Sequence, residues 1–207
     1  MGAQGIDRRH LVMPHVEPGM TVGLFGGSFN PPHDGHRLVA EIALRTLGLD
    51  QLWWMVTPGN PLKSKRALAP LADRIALSER LLPHPKVRVT AFEQTLGSSY
   101  TAQVLALIKR RYPSVDFVWI MGADNLVSFH RWQNWEKIAM TFPIAVIDRP
   151  GSTLSFLSSR MARTFDYARI DENDARQLAR MPAPAWTFIH GPRSSLSSTQ
   201  IRKENGG

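Results

Sequence analysis

Apolar residues along the chain alternate between short unbroken runs and longer stretches with helical spacing. From Met20 the run MTVGLF reads as a buried strand, GGSFNPPH breaks it with Gly and Pro, and DGHRLVAEIALRTLG carries Leu38, Ile42 and Ala43 at helical spacing. The alternation then recurs: strand LWWMVTP, basic loop GNPLKSKRA, helix LADRIALSERLL, strand KVRVT, helix YTAQVLALIKRR, and strand DFVWIMGAD running into a further loop. A helix-like stretch from Trp132 to Met140, strand FPIAVID, strand AWTFIH and a short terminal helix complete the pattern. The segment between Ser152 and Pro184 has no decisive period. Such alternation predicts an α/β fold with a doubly wound, mostly parallel sheet, whose ligands sit beyond the carboxyl ends of the strands.

Residues 1–19 mix Gly, Pro, His and charges without periodicity and read as a flexible tail, with Met20 as an alternative start, so a single domain is expected over 20–207. Absence of cysteine excludes disulfides, thiolate nucleophiles and cysteine-based metal sites, which fits a cytoplasmic location. No apolar run is long enough to span a bilayer or serve as a signal peptide. The net charge of +8 lies in the body of the chain, since Arg8 and Arg9 are balanced by Asp7 and Glu17 in the tail. Nucleic acid, an anionic small substrate and a solvated basic surface are all compatible with that surplus. The basic run Lys109, Arg110, Arg111 has no recognised nucleic-acid motif beside it, so no specific nucleic-acid partner is expected.

Candidate chemistry concentrates where the first strand meets the first helix. Gly26 and Gly27 allow close backbone approach, and Ser28 and Phe29 follow at a helix start, where exposed N–H groups and the helix dipole attract phosphate. Neither the dinucleotide fingerprint Gly-x-Gly-x-x-Gly nor a phosphate loop ending in Gly-Lys-Ser/Thr is present. His33 and His36, three apart, can lie on one helix face and donate to phosphate oxygens; a solvent-facing pair and a two-His metal site are the alternatives.

The segment GGSFNPPHDGH resembles the HxGH motif of the adenylyl- and cytidylyltransferase superfamily, in the form used by bacterial nicotinate mononucleotide adenylyltransferases. Asn30 stands where Asp is common and reads as structural. Leu196 to Arg202, LSSTQIR, is similar to that family's ISSTxIR signature, with Leu for the first Ile. The resemblance covers nearly all of residues 20–204. It implies ATP binding by Gly26, Gly27, Ser28, Phe29, His33, His36, Ser198, Thr199 and Arg202, with His33, His36 and Arg202 stabilising the transition state. It implies mononucleotide binding by Thr101 in the SYT segment, Asp124 in GAD, Trp132 as a stacking face, Arg149 in RPG and Lys63 in a Pro-rich loop where Leu62 departs from the usual His. Lys63 reads equally as a surface lysine, Thr101 as part of an ordinary helix cap, and Arg74 as a helix-surface charge.

The implied reaction joins nicotinate mononucleotide to the adenylyl group of ATP, giving nicotinate adenine dinucleotide and pyrophosphate on the route to NAD. Mg²⁺ is expected on the ATP phosphates rather than in a protein cage. A phosphopantetheine adenylyltransferase and a cytidylyltransferase are the nearest rivals, sharing both end motifs but not the combination of SYT, GAD and the Trp stretch. Preference for nicotinate over nicotinamide mononucleotide is left open by the sequence, and a homo-oligomer is compatible with it.

Overall fold

A computed structural model of the chain describes residues 5–59, 68–96, 100–148 and 158–191. Six parallel strands form one sheet: β1 (Thr21–Gly27), β2 (Gln51–Val56), β3 (Val87–Thr90), β4 (Asp116–Gly122), β5 (Ile144–Ile147) and β6 (Trp186–Ile189), in the order β3-β2-β1-β4-β5-β6. Except for the edge strand β3, whose Arg88 is exposed, the strands read as mostly apolar runs because helices cover both faces. In β2 the neighbours Trp53 and Trp54 are fully buried and point into different cores. One face carries α1 (Asp34–Thr46) and α2 (Leu71–Leu81); the other carries α4 (Thr101–Arg111), α5 (Ala123–Phe129), α6 (Trp135–Ala139) and α7 (Arg160–Thr164). A single-turn helix, α3 (Glu93–Leu96), links β3 to that second face.

Helix α1 shows how the local sequence sets the packing. Its apolar stripe, Val39, Ala40, Ile42 and Ala43, is buried against the sheet, while Asp34, Arg37 and Glu41 face solvent as spaced ion pairs. Burial of the larger side chains, Val39 and Ile42, contributes about 1.5–3 kcal/mol each. Gly48, at φ +63°, follows the C-cap Leu47 and takes the left-handed conformation that ends a helix.

The strand order reverses between β1 and β4. From β1 the chain proceeds outward to β2 and β3, then returns to lay β4 on the other side of β1, which opens a crevice at the carboxyl ends of these two strands. The loop after β1 and the start of α5 after β4 border it.

Two expectations are corrected, and a segment without a sequence assignment gains its elements. Residues 5–19, read as a flexible tail, are held to the fold at several points. Asp7 caps a 3-10 helix, Arg8–Leu11; the His10 carbonyl accepts from the Ala91 N–H at 2.7 Å and the Thr90 hydroxyl at 3.1 Å. Val16 is buried in a core, and the Gly19 N–H donates to the Ser114 carbonyl at 2.7 Å. Scattered single anchors have no period, so patterning missed them. Secondly, β4 runs directly into α5 rather than into a loop, which puts Asp124 in a first helical turn. The described part of the segment without a clear period forms α7 and two 3-10 helices, Asp166–Ala168 and Glu172–Arg180. The expected terminal helix lies outside the described residues. Among the described residues no helix is long and apolar enough to cross a membrane.

Candidate active site

His33 is the N-cap of α1, with extended backbone at φ −152° and ψ 170°. Its Nδ1 accepts from the Gly35 N–H at 3.1 Å, while the His36 Nδ1 accepts from the His33 N–H at 3.3 Å. Two imidazoles thus replace the hydroxyl and carboxylate of the usual capping box. The consequence is chemical as well as structural. Because both Nδ1 atoms accept, each neutral ring carries its proton on Nε2, the atom turned away from the helix backbone. The ring centroids stand 3.8 Å apart with the planes tilted by 35°. A cap of this kind is worth about 1 kcal/mol to the helix and fixes both tautomers at once.

The loop ahead of the cap is pinned from below. Phe29 is 2% exposed, and its ring packs at 4.6 Å on Trp54, 4.9 Å on His36 and 5.3 Å on Phe25. That side chain is core; whatever Phe29 offers a nucleotide comes from its backbone, which has φ +43°. The Asn30 Oδ1 accepts from the Ala69 N–H at 3.0 Å, tying the loop to the segment before α2, in keeping with a structural role. Gly26 cannot be larger for a reason visible in the fold: a β-carbon there would stand 2.6 Å from Trp119 Cη2. At Gly27 an added β-carbon would meet the Phe29 ring at 3.1 Å.

Arg74, which in the sequence reads equally as a helix-surface charge, is not one. It is 1% exposed. Its Nη1 donates to the Ser28 carbonyl at 2.6 Å and the Thr57 carbonyl at 2.8 Å, and its Nε donates to the Ala69 carbonyl at 3.0 Å. One guanidinium ties the β1–α1 connection to both ends of the β2–α2 connection. Burial lowers its pKa from the ordinary value, yet an arginine stays protonated, and all three bonds go to neutral carbonyls. Its charge therefore remains available to the field of the crevice. The signal for this was the helical register: Arg74 shares a buried stripe with Ile75 and Ser78, which is no place for a solvated charge.

Across the crevice, the second bank is aromatic. Trp132 is half-buried, packing edge-on to Phe129 at 5.4 Å and Trp119 at 6.5 Å. Trp135 is buried among Phe129 and Phe165 and serves the core. Trp119 links the two banks, touching the Gly26 position on one side and Trp132 on the other. Asp124 is exposed in the first turn of α5, beside the carboxyl end of β4. Thr101 is half-buried as the first residue of α4, whose cap is Tyr100, and α4 packs against α6.

The remaining candidates, Lys63, Arg149, Ser198, Thr199 and Arg202, lie outside the described residues. Asp148, the last described residue before Arg149, is buried just past the end of β5.

The chain matches, over residues 24–204, the family model described as cytidylyltransferase-like. Proteins named "probable nicotinate-nucleotide adenylyltransferase" are similar along most of its length. The one from Mesorhizobium japonicum is 74% identical over 92% of this chain and 98% of its own, and that from Rhizobium meliloti is 69% identical over 91% and 100%. The one from Brucella abortus is 68% identical over 89% of this chain and 95% of its own. In fold, the chain is similar to the Plasmodium falciparum nicotinic acid mononucleotide adenylyltransferase solved with NaAD, with a TM-score of 0.67 at 19% identity, covering 89% of this chain and 83% of that one. Capped histidines at the mouth of β1, a parallel sheet reversing at β1 and β4, and these similarities agree: the chain belongs to the cytidylyltransferase-like family, among its nicotinate-nucleotide adenylyltransferases.

Proposed function

We propose that the chain transfers the adenylyl group of ATP, bound as its Mg²⁺ complex, to nicotinate mononucleotide, releasing pyrophosphate and nicotinate adenine dinucleotide. The observation that carries this reading is the double-imidazole cap of α1 at the carboxyl end of β1, in which both Nδ1 atoms accept backbone N–H bonds, in a chain with these relatives. A phosphate oxygen of the mononucleotide attacks the α-phosphorus in line, a new P–O–P bond forms, and the bond to pyrophosphate breaks with its electron pair leaving on the pyrophosphate. The nucleophile is already an anion, so no general base is needed. Catalysis then consists of holding two anions close while neutralising charge on the bridging and leaving oxygens.

In this assignment His33 and His36 hold the triphosphate, with backbone N–H groups of residues 26–29 and, from the sequence motif, Ser198, Thr199 and Arg202. The buried charge of Arg74 adds attraction from beneath. Thr101, Asp124 and Trp132 take the mononucleotide, Trp132 stacking on the pyridine ring, with Arg149 and Lys63 assigned from the resemblance. Mg²⁺ would ride on the ATP phosphates and add positive charge there, and the described residues at the mouth of β1 offer N–H donors suited to phosphate oxygens.

The test is pyrophosphate release from ATP and Mg²⁺ with nicotinate mononucleotide, nicotinamide mononucleotide and phosphopantetheine supplied separately. Release with the nicotinate compound by a wide margin is expected. Release only with another acceptor moves the substrate, and silence with all three sinks the enzyme assignment.

A further inference from the structure

The parallel ladder between β1 and β2 stops one bond early. Gly27 stands opposite Val56, and the Thr57 N–H donates to the Gly27 carbonyl at 2.9 Å. In a parallel pair the next bond would run from the Phe29 N–H to the Thr57 carbonyl. Arg74 has taken that carbonyl, at 2.8 Å, and holds the Ser28 carbonyl with the same nitrogen at 2.6 Å. A trans peptide points its C=O and N–H in opposite directions. Pulling the Ser28 oxygen toward α2 therefore turns the Phe29 N–H away from α2. The φ of +43° at Phe29 belongs to the same distortion, and among the described residues that N–H has no acceptor. Left-handed backbone at a bulky residue and an unmatched N–H are each uncommon, and coinciding at the mouth of β1 they indicate a purpose.

We propose that Arg74 is a positioning residue: by holding the Ser28 and Thr57 carbonyls it frees the Phe29 N–H from the sheet and presents it to a phosphate oxygen of the bound nucleotide. This rests on the nucleotidyltransferase reading above. Arg74 itself, sealed beneath the loop, touches no substrate; it acts through one peptide unit. Charge alone does not suffice, because a lysine ammonium in its place is a point donor on a shorter stem and lacks the planar fork that reaches three carbonyls from two edges.

The experiment follows the Phe29 backbone amide by NMR in the full chain labelled with nitrogen-15, using inorganic tripolyphosphate as the probe. In the wild type the Phe29 amide proton is expected to move downfield on addition. In Arg74→Lys and Arg74→Met that movement is lost, and the KM for ATP rises about tenfold while the KM for nicotinate mononucleotide stays within about twofold. A merely structural arginine would alter both KM values together or only the thermal midpoint. Wild-type KM for ATP in Arg74→Lys, with the Phe29 movement intact, overturns the proposal. If neither variant folds, the wild-type titration still decides, since a Phe29 amide unmoved by tripolyphosphate also overturns it. Turnover of the same preparation with the three acceptors separates the two readings. A Phe29 amide that moves in a protein without turnover sinks the assigned reaction alone, whereas turnover with an unmoved amide sinks the role of Arg74 alone.

Discussion

The two banks of the crevice are built by opposite means. On the side of α1 and α2, polar atoms are fixed by short-range backbone bonds: His33 and His36 cap a helix, Asn30 ties down the loop, and Arg74 clamps three carbonyls. On the side of α5 and α6, the half-buried Trp132 leans on the buried Phe129 and Trp119, with Asp124 exposed nearby. The contrast matches what each bank is assigned. Charge developing on a transferring phosphoryl group demands donors already oriented before reaction, whereas a planar ring needs a face and tolerates small changes of angle.

The sharpest way to break that contrast is at the polar bank. His36→Ala is expected to lower turnover about 100- to 1000-fold, the usual cost of removing a preorganised donor, while circular dichroism stays native and the thermal midpoint falls by the loss of half a cap. Near-normal turnover would show that the histidines serve only the helix. The aromatic bank should answer differently. Trp132→Ala is expected to raise the KM for nicotinate mononucleotide about 10- to 100-fold, from stacking worth about 1–3 kcal/mol, with the KM for ATP unchanged. An equal rise in both constants would deny the division between banks.

The joint between the banks can be stressed through Gly26→Ala. The added β-carbon would meet Trp119 at 2.6 Å, and a rigid indole can yield only toward its neighbours, so a loss of about 1–3 kcal/mol in chemical denaturation is expected. Stability equal to wild type would mean that Trp119 moves freely. The smallest effect lies away from the crevice, in α3. Burial raises the Glu93 carboxyl to about 7, so the folded state holds this proton more tightly than the unfolded state. Stability is therefore undiminished below the ordinary glutamate range and declines as pH rises toward about 7. Glu93→Gln should remove that decline, gaining on the order of 1–2 kcal/mol over the wild type at pH 8 and little at pH 5. Thermal midpoints at the two pH values check it; a gap independent of pH would show that Glu93 titrates normally.

Legibility in the sequence followed the range of the interaction responsible. The strand and helix runs were readable because both cores impose a local period, and β1, β2 and α1 fall where the patterning places them. The loop GGSFNPPHDGH was readable as a candidate phosphate site from its glycines and its position at a strand end. Asn30, read as structural from the motif, ties that loop to the segment before α2. Long-range anchoring was not readable. Residues 5–19 dock through His10, Val16 and Gly19, single contacts to β3, the core and Ser114 that leave no periodic trace. Helix α5 was hidden because it starts without a break at Gly122 and its N-cap offers no side-chain hydrogen bond to mark the boundary. Phe29 joined the nucleotide residues through its place in the motif, while the fold reserves its ring for the core.

By itself the sequence determined the class of fold and marked the segment after β1 as the candidate phosphate site. These depend on residue type and spacing, which apolar periodicity and glycine-rich breaks record directly. Tertiary structure alone decided which atoms present that chemistry. Only when α2 packs against β2 does Arg74 reach the carbonyls of Ser28 and Thr57, and only when β1 lies beside β4 does Trp119 close over Gly26. Contacts between residues distant in sequence arise from packing, and packing is fixed by the whole sheet at once.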